Sequence, residues 1–515
     1  MAKKRRNVFD KLNTLLFGKD LRVTEGEPYT EVREFDFSSY LPLDNYIRRQ
    51  SIPNENVFDI RAFGADVNNE DNAEYINSAV EKASKSHGVV LVDGGEYVTT
   101  AVTLKSDVTL FICENSAICS NKTGKGYGDK KAILYADSEK NITLTGGGKI
   151  KGNGNLFGRK PVADKNNTVP PEYIDVIEMR QDYRSQLRFA HPGKYGGLIY
   201  FNNCENVKVD NFILENSAYW TFKISNCKNL DIENLVINNN RNVANADGID
   251  IAGTSDVRIN HCFISTADDG IVIKNANWLG NTGPMKNITV TDCEIISRTN
   301  AFKVGTETTF DISDITVTDC KFLMTDVYPG AVSGISLEAC DGTILSNVKV
   351  KNIDMNRCTC PIFIRLGNRN RAAEVNSQSA NIIEFGGKGK KGGTSAKSTF
   401  DMKSRVKNIT IENVTAKGVQ IPIIIAGYKQ KGKIFRVENI TLKNINTEYD
   451  NIPETADRRL FIPEYADVYP ESWRFRNLPS YALWMRHAKN VKIENFTCIH
   501  PHPTWKKEII AKDVI

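Results

Sequence analysis

A short phrase recurs along this chain, and no other feature narrows the fold as much. It is an Asn or Asp, an apolar residue, then alternation. Instances are Asn141-Ile-Thr-Leu, Asn206-Val-Lys-Val, Asn229-Leu-Asp-Ile, Asp256-Val-Arg-Ile, Asn287-Ile-Thr-Val, Asp314-Ile-Thr-Val, Asn347-Val-Lys-Val, Asn408-Ile-Thr-Ile, Asn439-Ile-Thr-Leu and Asn490-Val-Lys-Ile. The compact intervals are 23, 27, 31, 27, 33 and 31 residues, and longer ones such as Asn347 to Asn408 need extra coils or loops. A repeat of this length marks a solenoid, in which successive coils stack directly. Each short strand pairs in parallel with its counterpart one coil on, and alternate Val, Ile and Leu point inward. Asn or Asp sits at the bend, where left-handed geometry and side-chain hydrogen bonding suit it, and such residues can stack into a ladder. An ordinary α/β sheet would need helical segments of roughly 10–15 residues between strands, and residues 200–350 lack them. The fold expected is all-β: a single-stranded right-handed parallel β-helix.

An open end of such a solenoid exposes core and needs a cap. Residues 72–86 read as a helix started by Asp71, with Ile76, Ala79, Val80 and Ala83 on one face. The chain then divides into an N-terminal arm, 1–55, packed outside the main body, and the β-helix proper, 56–515. Long polar segments at 155–192, 368–402 and 448–480 interrupt the repeat. On a rigid scaffold such loops build binding surface. Walls around a groove would close one end of it and favour attack at a chain end.

Charged residues make up 25% of the chain and the net charge is +5, as in a globular protein with a slight basic excess. The basic run at 386–393 reads as an exposed loop, and with no recognised module around it no nucleic-acid partner is expected. No apolar stretch approaches about 18 residues, so no membrane span is expected. The basic opening lacks the apolar core and small-residue cleavage site of a secretory signal. The eleven cysteines include Cys204, Cys227, Cys262, Cys293 and Cys320 at coil-like intervals, which read as a ladder of buried thiols. Free thiols suit a reducing, cytoplasmic location. There is no Cys-x-x-Cys pair, and Cys358 with Cys360 has no His-rich surrounding, so no metal site is expected.

The chemistry concentrates between Asn245 and Lys274, which hold Asp247, Asp250, Asp268 and Asp269. Asp-Asp-Gly alone is an ordinary turn. Asp247 and Asp268, however, are 21 residues apart, close to one coil, and each runs into an apolar strand. Stacking would gather Asp247, Asp268 and Asp269 on one face. Carboxylates that crowd together keep a proton at raised pKa, and glycoside hydrolysis needs one group that gives a proton and one that takes it.

These residues resemble glycoside hydrolase family 28, the polygalacturonase family of parallel β-helices, over roughly Phe58 to His500. The opening from Phe58 resembles that family's first strand and capping helix, and 219–237 resembles the coil before its site. Most specific are Asn-Ala-Asp-Gly-Ile-Asp from Asn245 and Ala-Asp-Asp-Gly from Ala267 with Lys274 following; Ala246 stands where Thr is usual. The resemblance implies an inverting hydrolase in which Asp268 protonates the leaving oxygen while Asp247 and Asp269 hold and deprotonate water. It implies an oligo- or polysaccharide partner, exo attack on a pectic, rhamnogalacturonan or other galactose- or uronate-containing glycan, and no cofactor. An inverting pair stands about 6.5–9.5 Å apart. A uronate lyase or epimerase on the same scaffold and a non-catalytic carbohydrate-binding β-helix are the alternatives. Monomer and homo-oligomer are both open.

Two departures qualify the substrate. Asn300 occupies the place of the family's Gly-His-Gly histidine, and Gly334-Ile-Ser-Leu-Glu338 stands near its carboxylate-gripping Arg-Ile-Lys. Lys303 and Arg365 could restore a positive pocket; equally, Glu307 and Glu338 could accept from neutral hydroxyls. Asn245 and Lys274 read as substrate-binding, with Lys274 alternatively lowering the pKa of Asp269. Asp250 supports either its own bend or Asp247. Trp484 offers a sugar platform or rim packing, Arg486 beside it reads as a substrate contact, and His487 is a remote replacement for the missing histidine. His261 reads as a strand residue facing out.

Overall fold

The computed structural model describes residues 42–154, 196–240, 243, 245–323, 331–369, 404–449, 461–475, 477–501 and 503–515. Most of the arm, the 386–393 run, the long segment expected at 155–192, nearly all of 368–402, and 450–460 with 476 of the 448–480 segment lie outside these residues.

Twenty-nine strands of the described chain join in one sheet wound as a right-handed parallel β-helix. Every recurring phrase opens a rung. Its Asn or Asp has φ near +60°, from Asn141 (56°) through Asn287 (61°) to Asn490 (54°). These side chains bond coil to coil: the amide of Asn206 donates to Asn141 at 3.0 Å, Asn229 to Asn206 at 2.7 Å, Asn408 to Asn347 at 3.2 Å and Asn490 to Asn439 at 2.9 Å. A second ladder, not foreseen, runs five residues later, through Asn352 to Asp319, Asn413 to Asn352 and Asn444 to Asn413. Left-handed geometry costs Asn little, and each amide satisfies the next oxygen.

The helix expected at 72–86 spans Ala73–Ser84 and buries Ile76, Ala79, Val80 and Ala83. Asp71 accepts from the Ala73 N–H at 2.9 Å, and the Asn72 amide donates to Val98 at 3.0 Å. The end of the arm lies along the outside. Gln50 accepts from Thr145 at 2.8 Å, Arg48 donates to Asn211, and the Asn45 carbonyl meets His261 at 3.0 Å. His261 therefore faces out, as read.

Strict register positions the site. Phe222, Ile249, Ile271, Phe302 and Ile335 follow one another in pairing order and point into the core. One residue along, the pleat turns the next row outward: Tyr200, Lys223, Asp250, Val272, Lys303 and Ser336. Two residues further, Lys274 pairs with Ala252, and Glu338, Arg365, Ala426 and Arg486 continue that outward row. Cys204 and Cys227 stack inside, the Cys204 N–H reaching the Cys227 sulfur at 3.2 Å, and all eleven thiols are unpaired.

Candidate active site

The bends that enter Ile249–Ala252 and Ile271–Asn275 carry the acidic residues. The Gly248 N–H donates to the Asp269 carbonyl at 2.9 Å, locking the two bends one above the other. A Cβ at Gly248 would lie 2.4 Å from the Gly270 carbonyl oxygen, so the close stacking of the bends depends on glycine there. One oxygen from each of Asp247, Asp268 and Asp269 lies within 4.8 Å of the others. Among the described residues this is the one group of three His, Cys, Asp or Glu placed closely enough to share an ion. Lys274 and Lys303 already bring positive charge to the cluster.

The nearest oxygens thus approach more closely than the about 6.5–9.5 Å at which whole carboxyl groups of an inverting pair stand. The reason is architectural: Asp268 and Asp269 are chain neighbours, and Asp247 stands at the equivalent bend one coil away, about 4.8 Å. Distance alone does not select inversion here.

The three carboxylates have different surroundings. Asp269 accepts from the Asn300 amide at 2.7 Å and the Thr299 hydroxyl at 2.8 Å, and pairs with the Lys303 ammonium at 3.2 Å. Although burial opposes it, these cations and donors hold Asp269 below the usual carboxylate range. Asp268 accepts from Thr299 at 3.1 Å and from the backbone N–H groups of Asp269 and Asn245 at 3.0 and 3.3 Å. Burial and the neighbouring Asp269 charge push it up. Asp247 is pushed well up by burial and Asp250, against the pull of Lys274. Asp268 is the partly exposed member, whereas Asp247 and Asp269 are buried. The Asp247 Oδ1 atom is buried without a hydrogen-bond partner, a costly arrangement that a water molecule would relieve.

Lys274 donates to Asp250 at 2.7 Å, lies 3.5 Å from Asp247 and sits 3.7 Å above the Trp220 ring. It thus tunes Asp247 and Asp250 directly. Lys303 reaches Asp269 on one side and donates to the Tyr469 hydroxyl at 3.3 Å on the other. Glu338 lies beyond it, accepting from Ser336 at 2.7 Å and Thr306 at 2.9 Å, with burial raising its pKa to about 7. Glu307 lies 3.7 Å from Arg369, which also pairs with Asp341. The structure therefore brings Asn245, Asp247, Asp268, Asp269, Lys274, Asn300, Lys303, Glu307 and Glu338 together. Asn300, in the histidine's place, is a hydrogen-bond donor to Asp269.

Three expected contacts are placed otherwise. Arg365 is buried and donates to the carbonyls of Gly427 at 2.8 Å, Glu464 at 2.6 Å and Tyr465 at 2.9 Å. Arg486 does the same to Ile462 and Pro463, each at 2.9 Å. Trp484 is 0% exposed and packs against Phe475 with ring centres 5.5 Å apart. The terminal guanidinium nitrogens of Arg365 and Arg486 and the ring of Trp484 are taken up inside the protein, so the expectation that Arg365, Arg486 and Trp484 touch substrate is corrected to a pinning role under the 461–475 segment. His487 is bound between Asp513 at 2.7 Å and Glu464 at 3.3 Å in the same C-terminal coils, so it does not replace the absent histidine.

Sequence reasoning missed Thr299, Trp220 and Tyr469. Thr299 adjoins Asn300, and Trp220 is on the coil preceding the acidic stretch, so both carried a positional signal. Tyr469 lies in a proline-rich segment outside the repeat and carried none.

The Glycosyl hydrolases family 28 sequence profile matches residues 89–385, more than half of the chain. The chain belongs to that family. A polygalacturonase of Arabidopsis thaliana, QRT2, is 23% identical over 286 residues, covering 48% of this chain and 58% of its own length. The chain spans about half the length of the curated relatives it matches. Among solved structures, a hyperthermoactive exopolygalacturonase from Thermotoga maritima superposes with a TM-score of 0.58 at 18% identity, covering 88% of this chain and 94% of that one. A family 28 exopolygalacturonase from Yersinia enterocolitica gives 0.57 at 15% identity, covering 89% and 78%. At such identities these superpositions establish the common β-helix. No helix among the described residues is long and apolar enough to cross a membrane.

Proposed function

We propose that this family 28 chain hydrolyses a glycosidic bond, with inversion, in a pectic or other uronate-containing poly- or oligosaccharide. The observation that carries the reading is the unequal setting of adjacent Asp268 and Asp269: the Lys303 ammonium and the Asn300 amide converge on Asp269, while Asp268 has neither and is the partly exposed member. Two carboxyl groups whose environments drive their pKa values apart are the signature of an acid–base pair. Asp268 keeps its proton and, being partly exposed, can reach the glycosidic oxygen and protonate it. Asp269, held ionised by Lys303, Asn300 and Thr299, takes the proton of a water that the free oxygen of Asp247 orients. Asp247, held up by burial, serves as an anchor for that water rather than as the stronger base. Inversion is supported by family membership, and exo action by the two exopolygalacturonase structures of the same fold. A cytoplasmic setting belongs to the same proposal, supported by the unpaired thiols.

The test is a pH–rate profile on uronate and neutral oligosaccharides. Activity should fall on the acid side as Asp269 gains a proton, below the ordinary carboxylate range, and on the alkaline side as Asp268 loses one, above it. An ultraviolet-absorbing unsaturated product would reassign the chain to the lyases. Saccharide binding without any product would make it a non-catalytic β-helix.

A further inference from the structure

One coil before the carboxylates, the outward row carries a cation that the proposed reaction leaves unused. Lys223 pairs in register with Asp250 on one side and Tyr200 on the other. Its ammonium lies 4.2 Å over the Tyr200 ring and 5.7 Å from the Trp220 ring. The opposite cation on Trp220 is Lys274, at 3.7 Å. Asp250, the nearest acid in the row, is already bonded to Lys274 at 2.7 Å. Among the described residues Lys223 has no ion pair, and neither does Lys131, whose charge also acts on it. Desolvation lowers the Lys223 ammonium to about 8. Half-buried beside aromatic rings, it feels the Asp250 charge only at a distance and has no ion-pair partner among the described residues, and such a group gains most from an incoming anion.

We propose that Lys223, walled by Tyr200 and Trp220, is a subsite for the carboxylate of a uronic acid residue, one coil (about 4.8 Å) towards the N-terminus from Asp250. The uronate carboxylate meets the ammonium, which the Tyr200 ring beneath it holds in place. The subsite deepens the proposed hydrolase reading by naming what selects the substrate: a negatively charged sugar set apart from the bond that breaks. Lys223 acts on binding, and no proton or bond changes there.

The experiment compares the full chain with Lys223→Met and Lys223→Arg on tri-galacturonate and on its fully methyl-esterified form, by steady-state kinetics and by calorimetric titration. Lys223→Met should raise KM and Kd for the free acid roughly tenfold, the scale of one charged hydrogen bond. It should leave kcat within about twofold and barely change binding of the ester. Lys223→Arg should restore most of the loss, which also shows that the fold survives substitution. Equal losses for acid and ester, or a fall in kcat at constant KM, would overturn the subsite. The two readings fail separately. Selective loss of acid binding with no hydrolysis by the unsubstituted chain keeps the subsite and sinks the hydrolase. Hydrolysis that is indifferent to Lys223 does the reverse.

Discussion

Lys274 and Lys303, on the middle coils, and Arg365 and Arg486, on the later ones, are outward-facing cations on the same face of the same solenoid, yet they do opposite work. The two lysines have carboxylates as partners: Asp247 and Asp250 for one, Asp269 for the other. The two arginines donate mainly to backbone carbonyls, at 462–465 and, for Arg365, also at Gly427, and Arg486 adds an ion pair with the partly exposed Glu464 carboxylate at 3.3 Å, outside the acidic cluster. A lysine paired with a buried carboxylate changes that group's proton affinity. A guanidinium that fills a backbone's vacant acceptors fixes a segment in place. Charge and direction along the repeat do not separate these roles; the partner does. The two groups also meet. The segment pinned by the arginines carries Tyr469, whose hydroxyl accepts from Lys303, so the fixed end of the molecule sets one partner of the tuned end.

The sharpest way to break this contrast is at the proton itself. Asp268→Asn should lower kcat at least ~100-fold, the scale of a lost general acid, while the melting temperature stays near that of the parent. Lys303→Met should come next. Removing the cation that holds Asp269 down should move the acid limb of the pH–rate profile upward and cut kcat roughly tenfold at neutral pH. At the other end Arg365→Met should act on stability. Carbonyls at Gly427, Glu464 and Tyr465 lose a buried donor, a cost of about 2 kcal/mol, read as a lower denaturant midpoint with unchanged slope. The protein that remains folded should keep its acid limb in place. A pH profile displaced by Arg365→Met as much as by Lys303→Met would dissolve the distinction between tuning and pinning. Smallest of all, Trp484→Phe should cost less than about 1.5 kcal/mol and leave KM unchanged, because the indole N–H has no partner to lose and the ring meets no solvent.

The fold was legible because its signal is local and repeated. Asn206, Asn229 and their counterparts mark each bend by chemistry that works within a few residues, and the 21-residue gap between Asp247 and Asp268 follows from the coil length. Asn300 and Glu338 were within reach because they stand where the resembled family keeps its histidine and its carboxylate-gripping motif, and Lys303 because it lies in the same strand as Asn300. Arg365, Arg486 and Trp484 misled because direction along a strand is readable whereas cover is not. What takes their donors and faces is the 461–475 segment, which follows no repeat. Lys223 was overlooked because a lysine between apolar residues reads as a solvated side chain until its rings and its lack of an ion-pair partner among the described residues are seen. The carboxylate spacing was legible only in part: the coil length foretold that Asp247 meets Asp268 and Asp269, but not how closely their nearest oxygens approach.

That short spacing makes the stereochemical outcome the most direct test of the acid–base account. Proton magnetic resonance of the first sugar released from a uronate oligosaccharide, recorded before mutarotation, reports the anomer. Asp268 as acid and Asp269 as base acting through one water predict that the anomeric configuration is inverted. A product released with retained configuration would mean that one of the three carboxylates attacks the sugar directly, and the assignment of Asp269 and Asp247 to water would be wrong.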